Sequence, residues 1–246
     1  MGWWRNRAGP LRHCPRAAVS PAPNATLLPE LALAEQTGSR YIAGVDEVGR
    51  GALAGPVTVG IVVIDLHTLP QEVHASGTGV WQALDGVRDS KLLTAPARKR
   101  WKPSICQHAK AFSVQHSTPQ TIDAAGLTSA MGAAGRAALA SIHEELGHPV
   151  DHIILDGIHD WIQADVPVIT IAKADTTSLS VACASVLAKV ERDSLMTELA
   201  GDHPEFGWDS NKGYGSAAHR AAILSHGATQ HHRTSWNLGT DTLPGL

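Results

Sequence analysis

Cysteine is scarce in this chain: Cys14, Cys106 and Cys183 are the three in 246 residues, an odd number, far apart and without a CxxC pair. That spacing excludes a disulfide-stapled scaffold and makes a reducing cytoplasm the expected compartment. No apolar run reaches the ~18 residues that cross a bilayer, so no membrane-spanning helix is expected. A GxxxxGK[ST] phosphate loop and a GxSxG elbow are both missing, which weighs against a nucleotide triphosphatase and a serine hydrolase. Fourteen histidines are present, yet none has zinc-site spacing, and His231-His232 read as surface residues. Positive charge is also short: 20 Lys+Arg against 23 Asp+Glu give a formal charge of −3, at first sight unfavourable for a nucleic-acid partner.

What is present is globular. With 43% hydrophobic and 17% charged residues, the composition is too apolar for a disordered chain, and one core can absorb most of the length. Residues 1–25 interleave Arg and Trp with no apolar stretch to act as a signal core. They read as a disordered extension, or as sequence upstream of the true start, ahead of a single domain at 26–246. The sequon Asn24-Ala25-Thr26 reads as a chance match.

Short β-branched runs bounded by turn residues predict strands at 41–46, 57–64, 112–117, 152–156 and 168–173. Helices are predicted at 28–36, at 121–146 with an interruption near Gly126, at 178–199 and at 216–225. The stretch 95–109 is a weaker helix, because Pro103 should break it. Strands followed by alternating strands and helices indicate an α/β fold with a mixed sheet and a helical C-terminal part.

Three predicted strand ends carry acids: Asp46-Glu47 in GVDEVGRG, Asp156 in ILDG, and Asp175 in AKAD, just before a long helix. One Asp beside a glycine or a helix start is ordinarily a turn or cap residue. Four acids at three strand ends form a pattern, since α/β sheets build sites at that edge. Clustered carboxylates repel and call for cations, and an all-oxygen set suits Mg²⁺ or Mn²⁺ and two-metal phosphodiester hydrolysis. Adjacent strand residues face opposite ways. Either the chain therefore turns at Glu47, or Glu47 contributes its backbone carbonyl.

In the following helix, Ser178, Ser185, Lys189 and Arg192 fall within about 60° of one another at 100° per residue, beside an apolar stripe of Leu179, Cys183, Val186 and Val190. Hydroxyls and cations there could follow a phosphate backbone. Arg88-Asp89-Ser90-Lys91 occupies a loop suited to phosphate contacts, whereas Arg98-Lys99-Arg100 reads as a solvated face. Tyr214, one of two tyrosines, stands between Gly213 and Gly215, a setting better suited to stacking on a sugar or base than to a core.

In this order, GVDEVGRG, RDSKLL, LDG, KADTTSLSVACASVLAKVERD, NKGYGS and HHRTSW closely resemble the bacterial ribonuclease HII family over roughly residues 26–236. The resemblance implies a ribonuclease H-like fold, with a five-stranded mixed sheet flanked by helices and a C-terminal helical segment. It implies a cytoplasmic, monomeric endoribonuclease that hydrolyses the RNA strand of RNA–DNA hybrids and cuts 5′ of single ribonucleotides embedded in duplex DNA. Asp46, Glu47, Asp156 and Asp175 then look like the catalytic acids holding Mn²⁺ or Mg²⁺. Gly49, Arg50 and Gly51 resemble the loop that reads the ribose 2′-hydroxyl, the group distinguishing RNA from DNA. Tyr214 resembles the tyrosine that stacks on the following deoxyribose, and Lys91, Ser185 and Lys189 match positions near the substrate backbone.

The chain departs from the family pattern at Leu92, where a second lysine is common, at Cys183 and Trp236, and at Pro103. The alternatives are a ribonuclease HIII or another nuclease of the same fold, and a non-catalytic hybrid-binding module. The segment before Tyr41 is short for the N-terminal domain of the HIII type, and four intact acids speak against a silent module. With those four set aside as metal-bound, the remaining formal charge is +1.

Overall fold

The computed structural model describes residues 24–239. Residues 1–23 of the expected extension and Cys14 lie outside them, while its last two residues are held in place: Asn24 donates to the Asp85 carboxylate, and Ala25 is buried with its N–H on the Val87 carbonyl. The described chain runs α1 (Leu28–Thr37), β1 (Tyr41–Val48), β2 (Val57–Asp65), α2 (Gln71–Ala75), α3 (Ala95–His108), β3 (Ala111–Ser117), α4 (Pro119–Ala125) and α5 (Leu127–Leu146). It continues through β4 (His152–Asp156), β5 (Val168–Ile171), α6 (Leu179–Asp202), α7 (Trp208–Asn211) and α8 (Ala217–His226). Among the described residues no helix is long and apolar enough to cross a membrane.

The strands form one sheet in the order β3-β2-β1-β4-β5. β1, β2 and β3 are antiparallel neighbours, while β4 and β5 run parallel to β1. Parallel strands end at the same edge, so the C-terminal residues of β1, β4 and β5 are delivered to one place.

Alternation along the strands feeds two cores. Ile42, Val62, Ile64 and Ile154 pack with α1, α3 and Leu179, Cys183 and Val186 of α6. Ala43, Val45, Val59, Ile61, Ile153 and Leu155 pack with α5 through Met131, Ala138, Leu139 and Ile142. Helix α6 lies unusually close to the sheet. A Cβ at Gly44 would sit 2.2 Å from the Ser180 carbonyl carbon, and one at Gly60 2.5 Å from the Ala184 oxygen. A third cluster, with Phe206, Trp208, Ala222 and Ile223 on the end of α6, holds α7 and α8.

All five predicted strands are present, and the break between α4 and α5 falls at Gly126, whose φ is +81°. Two expectations fail. Strand β5 ends at Ile171 because Lys173 turns left-handed at φ +58°. Pro103 does not break α3, which runs through it as one helix. Tertiary anchors on both sides hold that helix against the lost hydrogen bond: Arg98 donates to the Ser90 and Leu93 carbonyls, Ser104 donates to the Ala83 carbonyl, and Ile105 is buried.

Candidate active site

Parallel pairing places Val45 beside Leu155 and Asp156 beside Ile171, so Asp156, the last residue of β4, and Asp46, two residues short of the end of β1, lie at one edge of adjacent strands. After β5 a left-handed residue and a short 3₁₀ turn, Ala174–Thr176, bring Asp175 to the same edge. The Asp156 carboxylate accepts the Ala174 N–H at 2.6 Å, tying the two strand ends together. Asp46 and Asp175 are each 4% exposed. Burial, followed by the charges of Glu47, Asp156 and Asp175, pushes the Asp46 carboxyl well above its ordinary value, with the Ser185 hydroxyl working against the shift. Asp175 is raised by burial and by Asp89 and Asp156, and Lys91 opposes this at 3.3 Å.

Strand β1 does not turn at Glu47. It stays in register with β2 through Glu47 opposite Val59 and Val48 opposite Thr58. Alternation therefore sends Asp46 to the α6 side and Glu47 to the other. Glu47 carries one tie, 3.3 Å from Arg50, while its Oε2 is buried without a hydrogen-bond partner. Burial raises its carboxyl, and Arg50 partly offsets the rise. Among the described residues no three acid, histidine or cysteine side chains already converge as a ligand set. The four acids are the ones that could hold a metal ion: all donors are oxygen, one buried carboxylate oxygen is orphaned, and mutual repulsion is relieved by a cation.

The other predicted site residues sort by exposure. Arg50, Gly51 and Lys91 are exposed around the acids, and Lys91 reaches Asp175 and Asp89. The Lys91 ammonium is opposed by burial, but Asp89, Asp46 and Asp175 together raise it. Ser185 is buried and donates to the Ser90 hydroxyl at 2.8 Å, bracing the loop that carries Lys91. Lys189 pairs with Asp193 at 2.7 Å and lies 5.9 Å from the Tyr214 ring centre. Tyr214 is 36% exposed, as a stacking residue must be.

Three expectations are corrected. Arg192 is not part of a phosphate-facing stripe: it is fully buried and donates to the carbonyls of Pro56 (2.8 Å), Lys212 (2.9 Å) and Ala54 (3.1 Å). Ser178, on the same stripe, is buried and caps α6 while donating to the buried Glu30 carboxylate. Arg98 is not part of a solvated face, because it pairs with Asp193 and clasps the 90–93 turn. The histidines near the C-terminus are not all on the surface either, for His219 and His232 are buried against Trp208 and Phe206.

Arg233 was given no role by the sequence. Fully buried, it donates to the carbonyls of Gly49 (2.7 Å), Arg50 (2.9 Å) and Gly55 (3.1 Å). Burial and the neighbouring Arg192 charge bring it down to about 10. Together the two arginines fasten the glycine loop after β1 to the loop bearing Tyr214, a bond network between segments roughly 140 to 180 residues apart in sequence. Gly49 is required there, since its φ is +84° and a Cβ would lie 2.1 Å from Arg192 Nε. The available signal was two arginines inside long family motifs, with nothing in their spacing to show that they are buried.

A mixed five-stranded sheet whose parallel strands present carboxylates at one edge, covered by helices on both faces, is the ribonuclease H-like architecture. Residues 43–238 match the family model described as Ribonuclease HII. The chain is 42% identical over 217 residues to the ribonuclease HII of Streptomyces coelicolor, covering 87% of this chain and 84% of that one. Against the ribonuclease HII of a Synechococcus it is 39% identical over 201 residues, covering 82% of this chain and 83% of the relative. The ribonuclease H2 of Pyrococcus horikoshii superposes with a TM-score of 0.62 at 26% identity, covering 80% of this chain and 94% of that one. Bst-RNase HIII in complex with Mn²⁺, at 20% identity, shares the fold with a TM-score of 0.63 and covers 83% of this chain and 70% of its own. The chain belongs to the ribonuclease HII family and is a nuclease of the hydrolase class.

Proposed function

We propose that this enzyme hydrolyses the RNA strand of RNA–DNA hybrids and cuts on the 5′ side of single ribonucleotides embedded in duplex DNA, leaving 3′-hydroxyl and 5′-phosphate ends. In cells this would serve ribonucleotide removal from DNA, by a cytoplasmic monomer. The observation that carries the reading is the meeting of Asp46, Asp156 and Asp175 at one sheet edge, with the Gly49–Gly51 loop held by Arg233 beside it and the Tyr214 loop held by Arg192 and by the Leu53 and Ala54 N–H groups. Asp46, Glu47, Asp156 and Asp175 would hold divalent cations, Mn²⁺ or Mg²⁺, which supply an activated water and charge neutralisation at the leaving 3′-oxygen.

The protein's own groups do the rest. Lys91 balances the acids and is exposed enough to meet a phosphate. Gly49, Arg50 and Gly51 offer backbone groups and a guanidinium to the ribose 2′-hydroxyl, the feature that tells the scissile nucleotide from DNA. Tyr214 presents its ring to the next sugar, with Lys189 beside it toward the backbone, while Ser185 acts from below by holding the Ser90–Lys91 turn. Asp156→Asn should abolish cleavage of a duplex carrying one ribonucleotide while leaving the circular dichroism spectrum unchanged. Retained cleavage in a clean preparation overturns the assignment. Tyr214→Ala should lower cleavage at single-ribonucleotide junctions more than on a continuous hybrid, and an equal loss on both contradicts the stacking role.

A further inference from the structure

We propose that His219 is a positioning residue for Tyr214, holding the tyrosine's backbone in place from the end of a buried hydrogen-bond chain that starts at Thr229. The proposal rests on the reading of Tyr214 as the junction-stacking residue and assigns what sets its position. It follows from the direction in which each proton must point.

The Thr229 backbone N–H donates to His232 Nδ1 at 3.0 Å, so Nδ1 is an acceptor and a neutral His232 carries its proton on Nε2. That nitrogen lies 3.2 Å from His219 Nε2. The Trp208 indole N–H, which can only donate, reaches the same His219 Nε2 at 3.0 Å. The Trp208 N–H makes His219 Nε2 an acceptor, whose one lone pair the His232 N–H shares at longer distance, and the His219 proton is assigned to Nδ1. Nδ1 sits 2.9 Å from the Tyr214 carbonyl, to which it donates. All three rings in the chain are buried, so water does not compete for these bonds.

The segment being held is one that needs holding. Lys212 and Gly213 both have positive φ, at +53° and +82°, and the Tyr214 ring projects to the surface within 6 Å of Lys189 and Arg192. The Ser216 N–H shares the Tyr214 carbonyl at 2.8 Å, and the Ser216 hydroxyl caps α8 at the His219 N–H. His219 thus connects the start of α8 to the carbonyl directly behind the stacking ring.

Two substitutions separate this role from packing. In His219→Asn the amide N–H₂ falls near the place of Nδ1 and can still donate to Tyr214. In His219→Gln the amide falls near the place of Nε2 and can serve Trp208 and His232 only. Hydrogen exchange of residues 212–216 in the free protein should be about fivefold faster in His219→Gln, the worth of one hydrogen bond, and near the parent rate in His219→Asn. The ratio of junction to hybrid cleavage should fall in His219→Gln toward that of Tyr214→Ala and be rescued in His219→Asn. Equal behaviour of the two variants in exchange overturns the proposal. If Tyr214→Ala leaves the cleavage ratio unchanged, the stacking reading fails, and the exchange result still decides the positioning of the loop. The unaltered protein gives an independent check: nitrogen NMR at neutral pH should show His219 protonated on Nδ1, and the Nε2–H tautomer would refute the chain.

Discussion

Replacing Arg192 by methionine keeps the length and much of the volume of the side chain and removes every donor. Three carbonyls, of Ala54, Pro56 and Lys212, then lose a charged partner in the interior, where the guanidinium is fully buried. An orphaned buried acceptor costs roughly 1–3 kcal/mol, which for three gives a gross loss of about 3–9 kcal/mol. Relief of the buried charge offsets part of this, and relief of repulsion with Arg233 adds to the offset. A net destabilisation of about 3 kcal/mol remains, equivalent to about 6–12 °C in Tm for a domain of this size. Denaturant unfolding at neutral pH measures it directly. Arg192→Lys should fall between parent and methionine, because the three ammonium donors radiate from one nitrogen and do not span carbonyls reached by Nε, Nη1 and Nη2 of the guanidinium. Since the same bonds join the Gly49 loop to the Tyr214 loop, junction cleavage should drop more than the loss of folded protein explains. A loss under 1 kcal/mol with junction preference intact would show that the arginine is not the tie.

Other outcomes follow from the same geometry. Asp46→Asn should end cleavage yet stabilise the metal-free protein by about 1–3 kcal/mol, because it removes a buried charge repelled by three others. The raised Asp46 value means that metal-free stability falls as pH rises above the ordinary 3.8, so the gain in Tm should be larger at pH 8 than at pH 5, and the reverse order contradicts it. Burial, with His219 and His231 adding to it, lowers His232 to about 4 from 6.5. Its contribution to stability is therefore complete above pH 6.5 and drains away as pH falls toward 4, by roughly 1–2 kcal/mol at pH 5 after allowance for screening, a loss that unfolding curves should show reduced in His232→Asn. Gly44→Ala would place a methyl 2.2 Å from the backbone of α6, and should cost about 3 kcal/mol or more or prevent folding, whereas a soluble variant of parental Tm would show that the helix can lift from the sheet.

Periodicity and turn chemistry were enough to find the strands and the helix break at Gly126, since those depend on neighbours in sequence. They misjudged Pro103, where the anchoring contacts come from residues 83, 90 and 93 as well as from the helix itself. The candidate acids were legible for a related reason: Asp at or near the end of an apolar strand is visible locally, though only Asp156 closes its strand, while Asp46 lies within β1 and a 3₁₀ turn after β5 supplies Asp175.

By itself the sequence determined the strand composition of the sheet and, through long ordered motifs, the family, and it singled out four acids as site candidates. The tertiary structure alone decided which face each residue serves. It placed Glu47 opposite Asp46 because β1 runs straight through it, turned Arg192 from an apparent substrate cation into a buried tie, and gave the same part to Arg233, for which the sequence had offered no role. It also placed His219 and His232 in a directed chain behind Tyr214. The reason is physical: a residue's type and spacing limit what it can donate or accept, but the carbonyls and donors it must satisfy are brought to it by the fold, from more than a hundred residues away for the Arg192 bonds to Ala54 and Pro56 and for Arg233, and across the turns joining α7, α8 and the C-terminal loop for His219.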